Sequence, residues 1–459
     1  MNPMQSHNIL RVAIKKIARQ ALLLGITAIF CQYSSAAIPI QQWTLANGAK
    51  VYLVESPAIA MFDVQIDFDA GSRRVPPDKI GLADATASLL SQGVAARGAL
   101  PELDENALGE AWADLGAQFS SSASADRMSF SLRTLTEPDL LDKAVALAAR
   151  QIGEPSFPDS IWQRDRQKST ARLKESYTRP TSVASRAYAK AVYGSHPYGF
   201  EVTEATLANI GVADMQTFYA AGVVPCRARI SMVGAVTRAQ ADGIAQRLLA
   251  RLPQTSCSSL PAPPPVAEVA PLLEAKQIVI PFDAAQAQVL IGQPGYKRSD
   301  PAFFPLLVGN YILGGGGFVS RLSSEVREKR GLTYSVSSSF SPGQHAGAFT
   351  VGLQTRPDQA TQALEVTRKV LRDFVADGPT EAELKAAKDN LIGGFALLID
   401  SNRKLLGNIS NIAWNDLPLD YLNTWTQQIG KVTAQDIKSA FAQKLQPDKM
   451  VTLVLGGTP

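Results

Sequence analysis

Val64-Gln-Ile-Asp-Phe-Asp-Ala-Gly71-Ser-Arg73 alternates apolar and polar residues into a glycine, and Gln288-Val-Leu-Ile-Gly-Gln-Pro-Gly295-Tyr-Lys297 repeats that plan in the second half of the chain. Each reads as a strand of period two that ends at a turn and leads into an apolar helical run. Two more landmarks recur in the same order. Phe130 to Thr134, with Pro138-Asp139 and an Ala/Leu-rich helix, is echoed 219 residues on by Phe349 to Thr355 with Pro357-Asp358 and another such helix. Ile210-Gly211, a helix and the strand Ala228 to Val233 are echoed, again at 219, by Ile429-Gly430, a helix and Met450 to Leu455. A steady period of about 220 residues marks an internal duplication, with homologous domains at 40–252 and 276–459. Strands come in neighbouring groups between helices, which predicts an α+β fold with a mainly antiparallel sheet in each domain. The connector 253–275 carries six prolines, including Pro263-Pro264-Pro265, and reads as an extended, semi-rigid link about which the domains hinge.

Composition narrows the function. The 459 residues hold 45 basic and 41 acidic side chains, and Arg11, Lys15, Lys16 and Arg19 all lie in the first 36 residues, which contain no acid. The remainder is neutral, with no basic footprint for nucleic acid or an anionic membrane. Residues 1–36 read as a secretory signal: a basic start, the apolar run Ala21 to Phe30 and the small residues Ser34-Ser35-Ala36-Ala37. That run is about half the length of a bilayer span. The expected mature protein is exported, has no membrane anchor and is periplasmic if the cell has an outer membrane. Cys31 leaves with the signal, so Cys226 and Cys257 remain as an even pair open to a disulfide. Only His196 and His345 remain of the histidines, 149 residues apart, so no local two-histidine metal motif exists beyond the signal.

Three stretches invite chemistry. The run Tyr311-Ile-Leu-Gly314-Gly315-Gly316-Gly317-Phe-Val-Ser320-Arg321 lacks the Lys-Ser/Thr of a phosphate loop. Four glycines cost enough backbone entropy to suggest a flexible loop that touches substrate. Leu322 to Arg330 reads as a charged helix capped at Gly331, and the alternation from Leu332 to Phe340 puts Tyr334 at the helix-to-strand corner. Asp63, Asp67 and Asp69 share one face of a strand; a solvent-facing side accounts for them without calcium. The serine run Phe119 to Ser124 reads as a flat polar strand that offers no nucleophile a base.

These residues resemble the pitrilysin-like M16 zinc peptidases, and more closely the branch that works as separate two-domain subunits. The resemblance spans essentially the whole chain after the signal. Its second-half signature is a Gly-rich loop, Ser-Arg-Leu, a charged helix and an Arg seven residues before a Tyr, here Gly314 to Gly317, Ser320-Arg321-Leu322, Arg327 and Tyr334. The resemblance implies that Arg327 and Tyr334 hold a substrate carbonyl and oxyanion at a zinc site, with the Gly314–Gly317 turn on the peptide. His196-Pro-Tyr-Gly199 is similar to a structural His-Pro-Tyr segment of the family. The first half departs from the pattern, because His-x-x-Glu-His after Gly-Leu-Ala is replaced by Asp84-Ala-Thr-Ala87-Ser88. Both imidazoles and the base are missing, and the third ligand position falls near Arg172, in a register that one sequence leaves open. The resemblance therefore implies a non-catalytic subunit that binds no zinc and completes the active site of a zinc-bearing M16 homologue acting on peptides. The rival reading is an inert scaffold in a larger assembly.

Overall fold

The computed structural model describes residues 38–456, so the signal reading for residues 1–36 falls outside the described residues. From Ile40 onward the chain forms one compact unit. Its first sheet is built from β1 (Gln41–Thr44), β2 (Lys50–Glu55), β3 (Met61–Phe68), β6 (Gln118–Ala123), β7 (Met128–Leu135) and β8 (Arg229–Gly234). A two-stranded ribbon, β4 (Gly93–Val94) and β5 (Leu103–Asp104), lies outside it. The second sheet holds β9 (Lys276–Ile280), β10 (Ala287–Pro294), β11 (Ser335–Phe340), β12 (Ala348–Thr355) and β13 (Val451–Leu455).

Duplication is visible in the strand order. The first sheet runs β1-β2-β8-β3-β7-β6 and the second runs β11-β12-β10-β13-β9. Read from its far end, the second sheet repeats the first without β1. In both, a parallel pair, β2 with β8 or β9 with β13, is followed by antiparallel pairs only. The two quoted strands, β3 and β10, take the same central place. Each is flanked on both sides, and six of the eight residues of β3 are buried. Phe62, Phe68, Phe130 and Phe349 are completely enclosed in the two cores.

The halves are not free to hinge, because each lends a helix to the other. The helix Pro180–Tyr193 of the first half packs on β10 and β13 of the second sheet, forming a core with Val451, Leu453 and Leu455. The Tyr188 hydroxyl donates to the Phe349 carbonyl at 3.1 Å there. In return, the helix Asn402–Trp414 of the second half packs on β3 and β8 of the first sheet. The proline-rich connector has no regular structure beyond the short turn Cys257–Ser259, and it is tied down. Cys226 and Cys257 are bridged, with Cα atoms 5.7 Å apart, and the Arg227 guanidinium donates to the Pro261 carbonyl at 2.5 Å.

This exchange also corrects the expectation for the aspartates. Asp63 and Asp67 do not face solvent; Asp67 is fully buried beneath the helix Asn402–Trp414. Its carboxylate accepts from Ser410 at 2.7 Å, Ser129 at 2.5 Å and Arg127 at 3.0 Å, and Asp63 pairs with Arg133 at 2.7 Å. Acids covered by an apolar helix face need such partners, since a lone buried carboxylate is strongly penalised.

Candidate functional site

The glycine run does not form a slack loop. The helix Phe303–Asn310 continues through Tyr311–Gly315 with widened, π-type winding, and Gly317–Val319 follows as a short 3-10 turn. Gly314 is buried against β11, where an added Cβ would lie 2.5 Å from both the backbone nitrogen and the hydroxyl of Ser338. Asn310 and Ser338 lock this contact with two side-chain hydrogen bonds, at 3.1 and 2.8 Å. Close packing therefore accounts for Gly314 without mobility. Beyond it, Phe318 and Val319 stand 68% and 78% exposed.

The charged segment winds with π-type geometry over Ser323–Glu328 and stops at Gly331, whose φ of +62° is the left-handed cap expected from the sequence. Arg321 anchors its start: it makes a bidentate pair with Glu383 at 2.5 and 2.7 Å and donates to the Gly378 carbonyl at 3.0 Å. Glu383 also closes a capping box with Thr380. Burial alone would raise the Glu383 carboxyl, but the Arg321 and Thr380 donors hold it at about 2. At the other end, Glu325 is committed to Lys329 at 2.5 Å and Arg330 at 2.7 Å, and their donated hydrogen bonds lower its pKa. Arg327 is left without a carboxylate partner among the described residues, its guanidinium 4.3 Å over the ring of Phe318. Tyr334, just before β11, is 85% exposed. A half-exposed guanidinium without a carboxylate partner and an exposed phenol thus flank one helix-to-strand corner.

In the first half, the helix Leu82–Leu89 places Asp84 and Ser88 on its outer face and buries Ala87, whose carbonyl accepts from the Ser121 hydroxyl of β6 at 2.7 Å. Asp84 and Ser88 line a cleft of about 550 Å³ together with Asp165, Lys168 and Arg172 of the helix Asp159–Ser176. The cleft thus joins Asp84 and Ser88 to Arg172, while Ala87 lies outside it. It also adds three charged residues absent from the sequence reading, Asp165 and Lys168 on the facing helix and Arg186 on Pro180–Tyr193. Positions 165, 168, 169, 172 and 176 follow the three-and-four spacing of one helix face, a signal present in the sequence. Desolvation by the cleft walls raises the Asp84 carboxyl above its ordinary value. These residues do not fit zinc: the set contains no imidazole or thiolate, it sets three cations around the space, and no metal-binding group of His, Cys, Asp and Glu occurs among the described residues.

The two histidines that the sequence separates meet across the halves, with ring centroids 5.1 Å apart. His196 is buried, and its Nδ1 accepts from the Tyr198 backbone at 3.1 Å. The Tyr198 hydroxyl donates to Asp126 at 2.6 Å and accepts from the His345 backbone at 3.2 Å. The His-Pro-Tyr segment is therefore a clasp on the loop between β11 and β12. Burial, and then the nearby His345, lower the His196 pKa.

Comparison with known proteins agrees with this geometry. The family description "Insulinase (Peptidase family M16)" matches residues 50–206, and "Peptidase M16 inactive domain" matches residues 209–391. A solved peptidase M16 inactive domain from Pseudomonas fluorescens is 33% identical, covers 92% of this chain and 98% of its own, and superposes with a TM-score of 0.85. A protease structure from Helicobacter pylori, 19% identical, shares the fold with a TM-score of 0.81 over 91% of this chain and 99% of its own. Among curated relatives, the "Non-peptidase homolog YmxG" of Helicobacter pylori is 26% identical over 432 residues, 91% of this chain and 93% of its own length. The "Uncharacterized zinc protease YmxG" of Bacillus subtilis is 22% identical over 401 residues, 87% of this chain and 93% of its own. The chain belongs to the M16 peptidase family. Within it, this chain is a homologue of M16 inactive domains, with two M16 domains in tandem and no metal-binding group among its described residues.

Proposed function

We propose that this protein is the non-catalytic subunit of a heterodimeric M16 peptidase. In this reading a zinc-bearing homologue supplies the metal and the base, and this chain supplies Arg327 and Tyr334 to the peptide's scissile carbonyl. The turn at Gly315, Gly316 and Gly317, with exposed Phe318, lies beside them and contacts the peptide, while buried Gly314 sets the turn against β11. The observation that carries the reading is Arg327 itself: every neighbouring cation on its segment is paired to Glu325, whereas Arg327 is unpaired among the described residues. A guanidinium kept off the neighbouring carboxylate and beside an exposed phenol suits a charge that forms only during reaction. No described helix is long and apolar enough to cross a membrane. We place the complex in an exported compartment, the periplasm where an outer membrane exists, because the first 36 residues read as a signal and a disulfide is present.

The test is a pull-down of the tagged chain from an exported fraction, with the complex assayed for chelator-sensitive cleavage of an unstructured peptide. Arg327→Ala should lower turnover in the complex by about 100-fold or more, as loss of an oxyanion donor does. Turnover unchanged by Arg327→Ala would instead favour the scaffold reading.

A further inference from the structure

The cleft at Asp84 and Ser88 is not a metal site, and its cations are not spent on one another's neighbours. Arg172 has neither ion pair nor hydrogen bond among the described residues. Lys168 reaches only Asp165, at 3.9 Å, and that carboxylate already accepts from Arg164 at 2.9 Å. Arg186 is held in place by a hydrogen bond to the Ser176 hydroxyl and by the Tyr177 ring, 4.4 Å from its Cζ, yet its Nη1 is buried with no partner. A buried guanidinium nitrogen left unsatisfied is costly, and a small turn of the half-buried Arg186 side chain towards the cleft would let an anion satisfy it.

We propose that this cleft recognises a peptide carboxylate, gripped by Arg172 and Arg186. Guanidinium forks match the planar, bidentate shape of a carboxylate. A phosphate dianion would bring about twice the charge of a carboxylate against Asp84 and Asp165 on the same walls, which favours the singly charged, planar anion. Trp162, Leu89, Leu173 and Leu207 supply an apolar lining, which suits the side chain next to a chain terminus. The inference takes only its choice of a peptide from the proposed function. It gives this subunit an anchoring point for substrate or product apart from Arg327 and Tyr334.

The experiment measures binding of fluorescent unstructured peptides to the chain purified alone, by polarisation at low and moderate salt. Three versions of one sequence without other acids are compared: a free C-terminus, a C-terminal amide, and the amide with one internal Glu. The free acid should bind about tenfold tighter than the amide, the worth of one charge-assisted pair. Arg172→Gln, at an exposed and unpartnered position, should fold normally and abolish that difference, and Arg172→Lys should keep part of it. Recovery of affinity by the internal Glu would support carboxylate recognition with a side chain as the source. Equal binding of acid and amide forms, or an Arg172→Gln variant that still tells them apart, would overturn the proposal. No partner or turnover enters this measurement, so its outcome is separable from that of the heterodimer reading.

Discussion

Two titratable residues contribute to the acid response with the same sign. His196 is buried beside His345 and has a lowered pKa, so the folded state resists its protonation. Its contribution to stability is present above the ordinary histidine value of about 6.5 and is lost as pH falls below it. Glu383, held at about 2 by Arg321 and Thr380, contributes above the ordinary glutamate value of about 4.3 and loses that contribution as pH falls towards 2. Urea midpoints should therefore decline on acidification first near the histidine range, a stage removed in His196→Gln, and then in the carboxylate range, a stage reduced in Glu383→Gln and shared with Glu325 and the other paired acids. At neutral pH, Glu383→Gln should cost about 1–3 kcal/mol, because it loses charge-assisted hydrogen bonds and half of a capping box. An acid profile unchanged by both substitutions would contradict the roles assigned to these side chains.

At the scale of elements, the widened turn at Gly314 is a packing device. Gly314→Ala must push on the backbone and hydroxyl of Ser338 and should destabilise by about 1–3 kcal/mol, as overpacking of a filled interior does. Gly407, exposed within the helix Asn402–Trp414, has nothing within 4 Å of an added Cβ. Gly407→Ala should raise stability by about 0.5–1 kcal/mol through helix propensity alone. Equilibrium urea unfolding of the two variants checks both signs, and destabilisation of equal size would show that the close approach to Ser338 is not what decides. The contrast explains why glycine content alone misleads: four adjacent glycines suggest slackness, but Gly314 is required by a neighbour distant in sequence.

For the whole molecule, the exchanged helices make the two halves one folding unit. Nicking the connector within residues 258–275 by limited proteolysis should leave both fragments eluting together under native conditions. Each fragment still owns a helix that covers the other's sheet. Separation of the fragments after nicking would refute the exchange as a source of cohesion. Reducing the Cys226–Cys257 bridge, which closes a loop with a sequence separation of 31, should cost about 3–4 kcal/mol on the chain-entropy account. The midpoint of denaturation with and without reductant measures it.

The duplication, the α+β class and a cysteine pair open to a bridge were legible in the sequence, and the loss of the zinc motif at Asp84, Ala87 and Ser88 followed from its resemblance to the M16 family. Each depends on residue type and spacing along the chain, which is where strand period, homologous landmarks and metal ligation are written. Tertiary structure alone decided that Asp63 and Asp67 are buried, that His196 meets His345, and that Arg186 closes the cleft at Asp84 with an unsatisfied nitrogen. Those facts come from contacts between segments far apart in the chain: Asp67 under the helix that carries Ser410, His196 against His345, and Arg186 across the cleft from Asp84. Pairings at that separation leave no local periodicity, because the partner that covers a face is chosen by the packing of the other half.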